Sequence, residues 1–548
     1  MPSINQPVAG REGAMIPNMG GGIGFRLDPW ARLRRFLILG TEGGTYYASE
    51  RQLAVQNVQA LRECADQDPQ RFVIEIHHVS TRGLALRQRS TLAALAFAAS
   101  YAPNRLAAYS ALPVVCRTAS HLFEFLSIVT QLRGWSRGLR SAVENWYTVH
   151  QSRGDLAYQA IKYRERNGWT HKDVLRTVHP RGLDPALAHF IMGSPFAAVE
   201  EHHLTMPASI EAFIELQAIR EDTSRAAQLI ADHALPWEAV PTVLHQHRDV
   251  WEALLPHMPY HAMLRNLSRF SALGMLDVAT GSAARIATRL VSDMQRARVH
   301  PMHIWLARRA YAFGSGRHRA WTPLSHVTDM LDALFEMSFV TQGVATRTAD
   351  PMALVIDRSG SMGAQVAGIA SCSAWEGAAI MAYCQYRLAD HCTVIAFSDR
   401  AHRVPITGDA QRHPDAFARQ IQAAVPGGGT DLSTAIRRLL HDAIPARTVV
   451  IYTDDQINQG AQVTPLFRQY RDTGAGEGAR GIAVGLTSHN VTIADVNEPW
   501  WYTAVGLDSS LPQVIHTIHT GRVESHEQNF IGETTQLLAS PDEESDTE

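Results

Sequence analysis

The sequence predicts two domains of different class: an all-helical N-terminal domain followed by an α/β domain, an α + α/β architecture. Three observations predict it. The chain has 548 residues, and domains run to roughly 100–200 residues, so two or more are expected. From about 28 to 340, apolar residues recur at three- and four-residue spacing, the helical period. Past about 350 the pattern changes to short continuous apolar runs separated by helical segments, which indicates a parallel sheet covered on both faces.

The elements follow in chain order. Residues 1–25 contain Gly and Pro without periodicity and read as a flexible leader. They lack the basic start and apolar centre of a signal peptide. Thr91–Tyr101, Ser120–Leu132 and Ile210–His233 read as amphipathic helices. Helices of common length filling 26–347 exceed one bundle, so stacked helical pairs are expected, although no clean sequence period marks them. The α/β domain spans 348–535. Its strands are Pro351–Ile356, Cys392–Phe397, Thr448–Tyr452 and Gly481–Leu486, with helices such as Ala374–Leu388 and Asp431–Asp442 between them. Residues 536–548 form an acidic tail ending in SPDEESDTE, expected to be disordered.

Composition narrows the function classes. Hydrophobic residues make up 45% and charged residues 19%, enough apolar material for real cores and too much for general disorder. No apolar run approaches the ~20 residues that cross a bilayer, so a soluble cytoplasmic protein with no membrane partner is expected. Five scattered cysteines without a CxxC pair argue against a disulfide framework or a zinc site. They read as small buried apolar side chains. Residues 1–345 carry 36 Lys+Arg against 29 Asp+Glu, and residues 346–548 carry 14 against 24. A basic half joined to an acidic half suggests different partners, one of them polyanionic.

Directly after the first strand comes Asp357-Arg358-Ser359-Gly360-Ser361. Loops at the carboxyl ends of parallel strands are where such sheets place ligands. One carboxylate and two hydroxyls, two residues apart, can turn oxygens to one point, and oxygen-only ligation suits Mg²⁺ or Mn²⁺ rather than zinc. Thr430, in the glycine turn Gly427–Asp431, and Asp454, after the strand Thr448–Tyr452, offer two more oxygens. Together these pieces resemble the metal-ion-dependent adhesion site (MIDAS) of the von Willebrand factor A domain, a Rossmann-like fold. The resemblance implies a divalent cation, Mg²⁺ or another, held by Asp357, Ser359, Ser361, Thr430 and Asp454. It also implies an open position for a partner's carboxylate. Asp455, beside Asp454, reads first as solvent-exposed and alternatively as a group supporting the ligands. No nucleophile has a placed base and no carboxylate set suits two-metal hydrolysis, so the protein is expected not to be an enzyme.

In the basic half, the run Gly40–Tyr47 (GTEGGTYY) resembles the opening of the TROVE domain. Val115–Phe123, Gly134–Arg140 with Trp146-Tyr147, Lys162 through His179-Pro180, Met263–Leu267 and His300-Pro301 match it in order. A TROVE domain followed by an A-like domain resembles the Ro 60 kDa family, and within it the bacterial Ro-like (Rsr) members. That implies HEAT-like helical repeats closed into a ring. The hole would take single-stranded 3′ ends of misfolded RNAs, and the rim a Y or Y-like RNA. The implied role is a ribonucleoprotein scaffold in RNA quality control or decay, linked through its RNA to polynucleotide phosphorylase. The implied RNA-binding residues are Lys162, Arg166 and His179, with Arg137, Arg140, Lys172 and Arg265. Arg32 and Arg35 are weaker candidates for the hole.

The residues themselves support this reading. From 131 to 181 there are ten Lys+Arg against four Asp+Glu, with Trp135, Trp146 and Trp169 among them. Cations follow phosphates and aromatics stack on bases, although the tryptophans read first as core. Arg133, Arg137 and Arg140 are spaced to share one helix face, as are Lys162 and Arg166. The rival reading is a metal-dependent protein-interaction module whose helices are only a scaffold, with no RNA role.

Overall fold

The computed structural model describes residues 6–520, apart from 43, 47, 194–204, 298, 317–318, 341–348, 367–368 and 496. The expected acidic tail lies outside the described residues. The chain forms two compact units. One gathers described residues 6–90, 300–302 and 336–520, and the other 91–299 and 303–335. The helices before residue 90 therefore group with the sheet, a division that differs from a boundary at 347.

The first unit is built on six strands in the order Ala401–Val404, Cys392–Phe397, Met352–Asp357, Thr448–Thr453, Arg480–Gly485 and Trp501–Val505. All neighbours run parallel except the edge pair Cys392–Phe397 with Ala401–Val404. The central strands Met352–Asp357 and Thr448–Thr453 are buried at every residue, which is why both are continuous apolar runs. The four strands expected from sequence lie within one residue of their observed bounds. The two edge strands were not expected. Ala401–Val404 is exposed at its two middle positions and Trp501–Val505 is half-buried, so neither carries a continuous apolar signature.

Within the segment expected to be a flexible leader, the described residues 6–25 include paired strands. Met15–Pro17 pairs antiparallel with Ile23–Arg26, which pairs in turn with Val491–Thr492. The Gly and Pro content is turn chemistry. The Asn18 carboxamide oxygen accepts the N–H groups of Gly20 and Gly22 at 3.0 and 2.9 Å, and its nitrogen donates to the Ile457 carbonyl at 2.8 Å. A Cβ at Gly22 would collide with that same carbonyl, so only glycine fits. Helix Pro29–Leu39 follows, its first turn capped by Asp28.

The second unit is helical, with Arg105–Val115, Ala119–Leu132, Arg137–Ser152, Leu156–Lys162 and His171–Val178 succeeding one another. Three expectations are corrected here. Ile210–His233 is two helices, Ala208–Ala218 and Thr223–His233, because the Asp222 carboxylate accepts the Arg225 N–H and caps a new start. Arg133 caps the end of Ala119–Leu132, whereas Arg137 and Arg140 open the next helix, so the three do not share one helix face. Lys162 ends its helix and Arg166 lies on a hairpin, Glu165–Arg166 with Trp169–Thr170. Asn167 and Gly168, at φ 52° and 76°, make the two-residue turn. No helix among the described residues is long and apolar enough to cross a membrane.

Candidate functional site

The oxygen-lined site lies at the carboxyl end of the sheet, in the first unit. Asp357 ends its strand fully buried. Its Oδ1 accepts the Ser359 N–H at 2.8 Å and its Oδ2 accepts the Thr453 hydroxyl at 2.7 Å. Ser359 Oγ and Ser361 Oγ are 3.1 Å apart. The Gly360 N–H donates to the Gly428 carbonyl at 2.9 Å, joining the first loop to the glycine turn. In that turn Thr430 is held by Asn458, whose Oδ1 accepts the Thr430 N–H at 3.0 Å. The buried Thr430 hydroxyl has no hydrogen-bond partner among the described residues. Asp454 is buried as well, its Oδ1 accepting the Gln456 N–H at 3.1 Å.

Burial raises the carboxyl pKa of both Asp357 and Asp454, and the Asp357 charge raises that of Asp454 further. Two buried carboxyls, two facing hydroxyls and an orphaned threonine hydroxyl form a donor set that fits a hard divalent cation. Among the described residues no three His, Cys, Asp or Glu cluster as metal ligands, so any such site is hydroxyl-rich with few anions. Ser361 also lines a cleft with Gly40, Thr41, Glu42, Thr45 and Thr487. The Glu42 carboxylate there is held by Arg87 at 2.6 Å.

Asp455 corrects an expectation. It is buried rather than exposed, at φ 62°, and its Oδ2 lies 2.7 Å from Arg35 Nη1. Arg35 is 1% exposed. Arg32 is also buried and donates to the Gln56 carbonyl. Neither arginine offers a free cation to a ligand. Thr453, Asn458 and the Arg35–Asp455 pair were missed from sequence, because only the tertiary fold brings them to the site.

In the helical unit the predicted cations divide. Arg137, Arg140, Arg166, His179 and Arg265 are exposed and Lys172 is half-buried. Ser136 caps the helix that Arg137 and Arg140 open, with no acidic residue in its first turn. Arg166 sits opposite Trp169 in the hairpin. Trp169 meets Trp135 edge to face at 5.9 Å, which brings the arginine-bearing helix start and the hairpin together. His179 closes helix His171–Val178 in the left-handed conformation, φ 50°. Lys172 lies at the start of the same helix.

Lys162 differs from expectation. Its side chain is 6% exposed, donates to the Tyr158 hydroxyl at 3.1 Å and lies 3.6 Å from Glu238. Burial lowers its pKa, Glu238 counters that, and the nearby Arg265 charge lowers it further. The amine is an internal tie, and Glu238, its partner, carried no sequence signal. Trp146 is core, donating to the Cys116 carbonyl at 2.6 Å. Trp135 and Trp169 are half-buried. All five cysteines are free and four are buried.

Comparison with known proteins agrees with both halves. A family model for the TROVE domain matches residues 17–203 and 202–315, and one for the Ro60 vWA domain matches 352–519. The chain is similar to RNA-binding protein RO60 of Deinococcus radiodurans, 31% identical over 536 residues, covering 95% of this chain and 98% of that one. It is also similar to RNA-binding protein RO60 of Caenorhabditis elegans, 26% identical over 595 residues, covering 93% and 90%. The solved structure of the D. radiodurans RO (RSR) protein resembles it with a TM-score of 0.63 at 29% identity, covering 90% of this chain and all of that one.

Proposed function

The chain belongs to the Ro60 family, which joins a TROVE domain to a von Willebrand factor A domain, and from that premise we propose that it is a non-catalytic RNA-binding protein. Its ligands are small noncoding RNAs: a Y or Y-like RNA on the rim of a helical ring, and single-stranded 3′ ends of misfolded RNAs in the hole. It acts as a ribonucleoprotein scaffold in RNA quality control or decay in the cytoplasm, and the RNA bridges it to polynucleotide phosphorylase.

One observation carries the reading. The exposed cations Arg137, Arg140 and Arg166 lie on the helix start and the hairpin that the Trp135–Trp169 contact joins in the helical unit. Arginines in the first helical turn oppose the positive end of the helix dipole, at a cost of about 0.3–1 kcal/mol. An incoming phosphate reverses that sign, accepting from the arginines and from the free N–H groups of the turn. His179 and Arg265 add exposed polar surface, Lys172 stands at the start of the next helix, and Lys162 is tied to Tyr158 and Glu238.

In the sheet unit, Asp357, Ser359, Ser361, Thr430 and Asp454 would hold Mg²⁺ or another divalent cation. Bound there, it would supply an electrophilic position for a partner's carboxylate.

The test is filter binding of a structured small RNA between 50 and 200 mM salt. The expected result is affinity that falls by orders of magnitude as salt rises, because six or more phosphate contacts release counterions. Arg137→Glu with Arg166→Glu should weaken it at least tenfold. Binding that ignores salt, or survives both changes, would favour the protein-interaction reading instead.

A further inference from the structure

We infer that Trp135 and Trp169 form a stacking subsite for an unpaired base, set among the arginines that take its phosphates. This rests on the RNA-binding reading and deepens it: the ligand is single-stranded at this point, and its bases are held by their faces.

The two indoles differ from the core tryptophans of this unit, and from the half-buried Trp237 and Trp321, of which the first stacks on Trp251 and the second donates to the Tyr311 carbonyl. Trp146, Trp251 and Trp305 are at most 2% exposed and belong to the core. Trp135 and Trp169 are each half-buried. Their ring planes stand at 69° with centroids 5.9 Å apart. In that edge-to-face geometry one ring gives its edge to the other's face, so its own two faces are not covered by the partner. A flat heteroaromatic ring is the shape that fits such a face.

The surroundings select a nucleotide rather than an apolar side chain. Trp135 immediately precedes the cap residue Ser136, and Arg137 and Arg140 follow in the first turn. Arg133 ends the preceding helix. Trp169 stands across the hairpin from Arg166. All four arginines are exposed. The carboxylate of this hairpin, Glu165, stands in register with Thr170 rather than with Trp169. The hairpin packs on helix Ala119–Leu132, and its two-residue turn leaves little freedom, so the indole face is preset before the ligand arrives.

Fluorescence anisotropy of the full chain tests this, with two labelled RNA decamers: oligoadenylate, and a strand of equal length and charge carrying abasic nucleotides. Wild type should bind the adenylate strand about tenfold more tightly, since each stacked base counts and every base has a face. Trp135→Ala and Trp169→Ala should each erase most of that preference while leaving abasic-strand affinity and its salt dependence in place. Trp135→Phe should keep part of the preference. Arg137→Glu with Arg140→Glu should weaken both strands alike. A second measurement needs no variant: 5-iodouridine in a single-stranded RNA should photocrosslink to Trp135 or Trp169, read by mass spectrometry. Equal affinity for the two strands, a preference that survives both alanine changes, or crosslinks that map only elsewhere would overturn the subsite. Those outcomes leave salt-dependent binding intact, whereas failure to bind either strand would overturn the RNA reading together with it.

Discussion

Replacing Arg35 with methionine should destabilise the sheet unit strongly at pH 7 and much less at pH 5. Arg35 Nη1 lies 2.7 Å from Asp455 Oδ2, with side-chain exposures of 2% and 0%, and 3.4 Å from the Val491 carbonyl. A methyl group added at Gly485 would collide with the guanidinium, so the cation fills a fitted slot. Methionine fills similar volume and removes the charge. Asp455 then keeps the Ile493 N–H on Oδ1 at 3.1 Å and has lost its cation. An unpaired buried charge costs about 3–5 kcal/mol. The carboxylate can escape by taking a proton, which from an ordinary Asp pKa of ~3.9 costs about 4 kcal/mol at pH 7 and about 1.5 at pH 5. The loss is therefore roughly 4 kcal/mol at pH 7, shrinking by more than half at pH 5. At roughly 2 °C per kcal/mol or more, Tm should fall by ~8 °C or more at pH 7. Adding Asp455→Asn to Arg35→Met should recover part of the loss. Thermal melts of the full chain at both pH values read this. A defect under 1 kcal/mol at pH 7, or one that is equal at pH 5 and pH 7, would refute the buried-charge account.

Other outcomes follow from the same geometry. Mg²⁺ or Mn²⁺ should raise Tm, by the equivalent of about 2.7 kcal/mol at 100 times Kd, and Asp357→Ala or Thr430→Ala should abolish the rise in a thermal-shift titration. Because the Asp357 and Asp454 carboxyls sit above the usual range, protons compete with metal earlier than at an ordinary pair. The Tm difference between Mg²⁺ and EDTA should shrink as pH falls from 8 to 5.5. The metal-free protein should change the other way, since a raised folded pKa means the native state binds more protons and gains stability on acidification. Burial lowers His171 and His489 to about 4, so each contributes stability that is present above the unfolded value of ~6.5. Each should lose about 1.4 kcal/mol per pH unit between roughly 6.5 and 4, read by urea melts against His171→Gln and His489→Gln. Lys162→Met should reduce RNA affinity less than Arg166→Ala in the filter assay, because the Lys162 amine already serves Tyr158 and Glu238.

The sheet was legible because burial on both faces writes itself as apolar runs, and Cys392–Phe397 and Ala374–Leu388 stand at the expected residues. The five residues proposed as oxygen donors could be named from the sequence because each follows a strand or a glycine turn in chain order. What supports them was not. Thr453 reads as one more strand residue until its hydroxyl is seen on Asp357. Arg35 reads as a free cation until the fold seats it on Asp455, 420 residues away. In the helical half, charge spacing alone misled: Arg133 and Arg137 match a helical repeat, yet a helix end, Gly134 and the Ser136 cap fall between them. The Asn167-Gly168 dipeptide carried the hairpin signal that places Arg166 off the helix.

The pairing of Ile23–Arg26 with Val491–Thr492 has a consequence for biosynthesis. At about 5–20 residues per second, the opening hairpin leaves the ribosome tens of seconds before its partner strand exists. During that interval its edge and the Arg35 guanidinium have no native mate. Any nascent chain stalled short of residue 491 stays unfinished at its beginning as well as at its end. An excised fragment starting at 348 would lack the strand and the cation that complete the sheet unit, so such a fragment should be recovered poorly unless residues 6–90 are supplied with it.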